Sequence, residues 1–209
     1  MGPQEARFTE DNVYDTGITI YGFEDSLINI TFIDDPLLNY RYSYELKAGS
    51  AALHVRVNEQ YVEFSSSGDE PVKAASFNLT LGSSSHYRIG TRGANNSISI
   101  TYANNASISG QKFQVESAGT TVAVVLRDDV NVESGDLDIT LNCDYVYLFI
   151  DLPSTMSGRI TYGRLPDFNK MTSSPGWGPG PGVSFQTSTL TSPKLDIWAL
   201  GTQIYAWFG

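Results

Sequence analysis

The residues that come nearest to a chemical constellation lie in DDVNVESGDLD, positions 128–138. Asp129, Asn131 and Glu133 occupy alternate places, so in an extended chain three oxygen-bearing side chains would share one face. Asp136 follows just after a Ser-Gly corner. Hard oxygen donors at odd spacing are what calcium takes. The calcium loop carried between helices, however, needs glycine at its sixth place and a bidentate glutamate at its twelfth. Counted from Asp129, glycine comes one place late, at Gly135, and the twelfth place is Thr140. Asp129, Asn131, Glu133 and Asp136 are therefore only a weak candidate calcium set. The preferred reading is a solvated strand edge with a corner at Gly135, because charge on an edge discourages pairing with other chains. No cofactor is expected beyond that weak calcium candidate.

Other chemistry is thinner still. The acidic pairs Glu24-Asp25, Asp34-Asp35 and Asp69-Glu70 fall in expected turns, where aspartate bonds its own backbone, whereas glycoside hydrolysis needs two carboxylates facing across a cleft. His54 and His86 lie in separate strands without ligand residues at metal spacing. No Gly-x-Ser-x-Gly elbow is present, and GPGPG at 178–182 lacks the lysine of a phosphate loop. The chain reads as a non-enzyme. Cys143, the one cysteine, cannot form an internal disulfide, and beside YVYLF it reads as a buried inert thiol. Aromatics are more suggestive, because exposed rings stack on sugars while carboxylates and amides bond the hydroxyls. Trp177, Trp198 and Trp207 are the candidate ligand-binding residues. Strand cores and loop anchors use the same residue types, so both readings stay open.

With 13 basic against 23 acidic residues the net charge is −10, and no basic run could neutralise consecutive phosphates. Nucleic acid is not an expected partner. There is no run of 18 apolar residues, so attachment to a membrane is expected only through segments outside this sequence. The opening MGPQ reads as an expression scar. Four sequons, at Asn29, Asn78, Asn95 and Asn105, are candidate glycosylation sites and point to an extracellular or cell-surface location.

The elements that must position these residues show alternating periodicity almost throughout, bounded by Gly, Asn, Asp and Ser. An all-β protein is expected. Five segments share one pattern: INITF (28–32), FNLTL (77–81), ISITY (98–102), LDITL (137–141) and GRITY (158–162). Each sets Thr on the polar phase between two core residues, and their spacing suggests a coil of about 20 residues. The expected architecture is a β-solenoid-like or irregular β-helix stack, with a β-sandwich as the alternative. Within one domain spanning 1–209, we read an antiparallel N-terminal part (1–92), a repeat-like stack (93–163), a Pro/Gly-rich loop (164–193) and closing strands (194–209). The alternation places Ile98, Ile100, Leu137, Ile139, Val146, Leu148, Ile150 and Ile160 inside.

The run ESGDLDITLNCDYVYLFIDLPSTMSGRITYG, residues 133–163, resembles the adhesin, or toast-rack, domain of prokaryotic surface proteins. The elements that carry the likeness are Gly135-Asp136 before a short strand, an apolar strand ending in Leu152-Pro153, and Ser157-Gly158-Arg159 opening the next coil. Asn-rich corners replace most of that family's Gly-Ser-Gly-Asp corners. The resemblance implies surface location and adhesion or scaffolding, with no catalytic residue. The expected function is thus an adhesin-like module or a structural subunit of an envelope or appendage, with a carbohydrate-binding module as the alternative. Expected partners are other surface proteins, copies of the chain itself, and glycans.

Overall fold

The computed structural model describes residues 4–7, 15–47, 52–58, 60–83, 86–163, 176–201 and 203–208, and these form strands and turns without a helix. The first part of the chain gives β1 (Gln4–Arg7), β2 (Asp15–Tyr21), β3 (Phe23–Glu24), β4 (Leu27–Phe32), β5 (Leu38–Glu45), β6 (Leu53–Asn58), β7 (Tyr61–Ser66), β8 (Val72–Lys73) and β9 (Ser76–Leu81). Two long strands follow, β10 (His86–Tyr102) and β11 (Ser107–Leu126), then β12 (Asn131–Asn142), β13 (Tyr145–Ile150) and β14 (Ser157–Tyr162). The chain ends in β15 (Trp177–Pro179), β16 (Ser184–Thr187), β17 (Lys194–Ala199) and β18 (Gln203–Phe208). The all-β expectation holds.

Two faces result, joined because β10 and β11 each bend and serve both. The front face runs β6-β7-β2-β10-β11-β12-β17-β14-β16-β15, and the back face runs β1-β5-β9-β4-β10-β11-β13-β18. Neighbours in the middle of both are parallel and in register. Tyr87 lies beside Phe113 and Phe113 beside Ile139, while on the back Ile98 lies beside Val122 and Val122 beside Val146. One circuit therefore takes 24 to 26 residues, longer than the 20 read from the repeats. The reason is that the five repeated segments belong to two faces. Ile30, Leu79 and Ile100 are neighbours on the back, whereas Ile139 and Ile160 flank Ile197 on the front. Spacing counted across all five mixes the two series.

The faces pack on each other around one core. Phe32 of the back face stacks on Tyr102 at 5.0 Å and meets Phe113 of the front edge-on at 5.3 Å, and Phe64 and Phe77 bridge the faces at 5.0 Å. All eight residues placed inside by alternation are buried. Each contributes about 1.5–3 kcal/mol of burial.

Two expectations need correction. Residues 1–92 are not an antiparallel unit: β2 is parallel to β7 and β10, and β4 to β9 and β10, while the antiparallel pairs of that part are β1 with β5, β5 with β9, and β6 with β7. The circuits of residues 15–32 and 61–81 are stacked out of chain order, which hides the repeat. Nor are residues 164–193 loop throughout, because β15 and β16 form an antiparallel pair and β16 pairs antiparallel with β14. Pro179 is tolerated in β15 because that strand is at the edge, where no ladder bond is asked of it. Residues 164–175 lie outside the described part.

Turns between the faces are tied across circuits. Asn96, buried, accepts the Ser26 amide and donates to the Phe23 carbonyl, while the Ser26 hydroxyl accepts the Ala75 amide. At Gly93 the backbone turns with φ 151°, and a Cβ there would stand 1.7 Å from the Phe23 carbonyl oxygen. Only glycine fits that approach.

Candidate functional site

Parallel register on the front face carries outward side chains into straight rows across the strands. One row reads Tyr61, Gly17, Arg88, Gln114, Thr140, Trp198, running over β7, β2, β10, β11, β12 and β17. At about 4.8 Å per strand it is about 24 Å long, with an aromatic ring at each end. The row beside it reads Asp15, His86, Lys112, Asp138, Asp196, Arg159. Between the rows lies a groove of about 580 Å³ whose walls include Asp15, Arg88, Lys112, Gln114, Asp138 and Trp198. Trp198 is 49% exposed.

Electrostatics divide the groove in two. At its β17 end Asp196 is buried, and Arg159 grips it with two bonds, Nε to Oδ1 at 3.2 Å and a shorter one to Oδ2. Lys194 stands 3.7 Å from Asp196 and 3.5 Å from Asp136. Asp138 has no such clamp: burial, then the charges of Asp196 and Asp136, raise its carboxyl above the usual value against the pull of Lys112 and Lys194. For Asp136 burial also pushes upward, but the Ser192 hydroxyl, the Lys194 amide and the Lys194 charge outweigh it and leave the carboxyl below its ordinary value. At the other end Arg88 is exposed and makes no hydrogen bond or ion pair with any described residue. The His86 Nδ1 accepts the Lys112 amide at 3.0 Å.

Carboxylates in the groove are poorly placed for glycoside cleavage. Asp15 and Asp138 are three strands apart, about 14 Å, beyond the spacing of either hydrolytic geometry. Asp138 and Asp196 are adjacent but point the same way from one sheet, with both Asp196 oxygens held by Arg159. Among the described residues no group of three or more His, Cys, Asp or Glu stands together as metal ligands would.

The residues singled out from sequence are dispersed. Asp129 Oδ2 accepts the Asn105 amide at 3.2 Å, Glu133 accepts the Ser107 hydroxyl at 2.6 Å, and Asn131 donates to that hydroxyl at 3.0 Å. Asp136 is instead drawn to Ser192 and Lys194. The corner itself is present, with Gly135 at φ 73°. Of the tryptophans only Trp198 enters the groove. Trp177 stacks on Phe208 at 4.2 Å, fixing the hairpin of β15 and β16 over β18. Trp207 stacks on Phe149 at 4.6 Å and Tyr147 on Tyr205 at 4.9 Å, an aromatic patch outside the back face. All four sequon asparagines are exposed. Asn29 and Asn78 are neighbours joined amide to amide at 3.1 Å, Asn95 donates to Asp25 at 3.2 Å, and Asn105 turns at φ 54°.

Arg88, Lys112 and Gln114 carry no motif. The only signal in the sequence was that HYRIGTR alternates apolar residues with His86, Arg88 and Arg92 on the outward phase.

No family model and no curated protein matches the chain. Among solved structures the chain is similar to one described as a putative cell adhesion protein from Clostridium sporogenes ATCC 15579, with a TM-score of 0.59 and 10% identity over 100% of this chain and 99% of that one. At that identity the likeness is one of fold.

Proposed function

We propose that this chain is a non-enzymatic adhesion module displayed on the outside of a cell, and that it meets its ligand in the front groove. The observation that carries this is the row from Tyr61 to Trp198, which sets an exposed indole, an amide, a hydroxyl and a guanidinium that pairs with no described residue along one open groove. Rings for stacking with polar groups for orientation are what a glycan site requires. Support comes from the full-length fold likeness to the protein described as a putative cell adhesion protein, and from sequons that all fall on exposed residues. Adhesion of beads carrying the whole chain to cells and to glycan-coated surfaces tests the reading. Trp198→Ala is expected to lose about tenfold in affinity, about 1.4 kcal/mol. Undiminished adhesion by that variant would remove the groove from consideration.

A second reading, a structural subunit that meets copies of itself, draws on the aromatic patch of the back face. Phe149, stacked on Trp207, is 41% exposed, and Tyr145, on the same strand, is 42% exposed, and patches of this kind mark contact surfaces. Electron microscopy and sedimentation of the purified chain test it, and a strictly monomeric protein at high concentration would refute it.

A further inference from the structure

Next to the front groove, in a hollow lined also by Arg92 and Glu116, lies a glycine that the protein does not need. Gly90 is in the interior of β10, facing outward between Arg88 and Arg92. Its φ is outside the left-handed region, and a Cβ placed on it would meet nothing nearer than the Tyr21 hydroxyl at 3.9 Å. Neither conformation nor packing therefore demands glycine there, and glycine inside a strand costs stability. What remains is close approach by something from outside. On the neighbouring strand Gly17 lies beside Arg88, its missing side chain replaced by the Tyr61 ring, which would be 3.3 Å from an added Cβ. Gly90 thus leaves open the side of Arg88 toward Arg92, while the Tyr61 ring fills the place at Gly17.

Resting on the adhesion reading above, we propose that the ligand is a carboxylated glycan, a uronate- or sialate-bearing oligosaccharide. Its carboxylate pairs with Arg88 and its chain runs over Gln114 and Thr140 to stack on Trp198. A guanidinium matches a carboxylate in two parallel bonds, and Arg88 has no described partner that already takes them. Lys112 beside it and Arg92 over the Tyr21 ring at 5.7 Å add two more cations to this stretch, set against Asp15 in the groove and Glu116 beside Gly90. Sugars rather than acidic peptide are favoured by the indole at the far end and by the neutral amide and hydroxyl between.

The test is an array carrying uronate- and sialate-terminated oligosaccharides beside their neutral and sulfated counterparts, probed with the whole chain and followed by calorimetry on the best carboxylated probe. Binding should favour one carboxylated class by at least tenfold over its neutral counterpart and weaken with added salt. Arg88→Lys should lose about tenfold or more on that probe and little on neutral sugars, because a point charge cannot make the paired bonds. Gly90→Val should abolish binding with a melting temperature equal to or above that of the unchanged protein, since valine suits a strand. Preference for neutral or sulfated probes, or undiminished binding by Gly90→Val, overturns the inference. If adhesion still depends on Trp198 in that case, the adhesion reading stands without it; if nothing binds at all, both fall.

Discussion

Replacing Arg159 by methionine removes both hydrogen bonds to Asp196 and nearly keeps the volume. Asp196 is 5% exposed, so its charge would be left inside with Lys194 at 3.7 Å as partner and Asp138 on the adjoining strand as a like charge. Breaking a fully buried ion pair on one side costs about 3–5 kcal/mol. Here Arg159 is one-third exposed and Lys194 stays, so about 2 kcal/mol is expected, or about 4–8 °C in melting temperature for a chain of this size. Urea unfolding at pH 7 measures the loss. Adding Asp196→Asn to Arg159→Met should recover most of it, because the stranded charge is then gone. A deficit below about 0.5 kcal/mol, or no recovery in the double variant, would refute the argument that a stranded charge is responsible.

Gly93→Ala should cost about 3 kcal/mol or more, because the new carbon meets backbone that cannot swing aside and the φ is hostile to side chains; thermal unfolding within two degrees of the parent would mean the turn relaxes freely. Burial, and then Asp144, pushes the Cys143 thiol up to about 12, so a maleimide at pH 8 should label the chain only after unfolding, and rapid labelling of the folded protein would show an open route to Cys143. A chelator is expected to leave the melting temperature unchanged, since Asp129, Glu133 and Asp136 already accept bonds from the protein. A drop of several degrees would show that some of them hold a cation.

Alternation alone was enough to sort inside from outside. Ile100 and Ile139 are buried at 0% and 2%, because a period of two is a property of each strand by itself. Which strand stands beside which is not a local property. Residues 28–32 touch both 77–81 and 98–102, and no pattern within any of these segments says so. The groove suffered most from this. Trp198 could be noticed as a tryptophan, but its relation to Arg88 exists only once four strands are in register. Asp136 illustrates the opposite error, since its neighbours in sequence suggested a ligand loop while its partner, Lys194, is 58 residues away.

The placement of β17 and β18 bears on how the chain is made and how it withstands load. β17 is wedged between strands synthesised earlier, separating β12 from β14, while β18 joins the edge of the back face beside β13. Until residues 194–199 have left the ribosome, β12 and β14 have no shared neighbour, so the front face cannot close gradually behind the growing chain. β2, made early, is likewise seated between β7 and β10, which are made after it. β2 and β17 are thus each gripped on two sides by parallel neighbours. A pull along either must shear parallel strands along their length before it can come free, whereas the outermost strands β1 and β18 have one strand neighbour each.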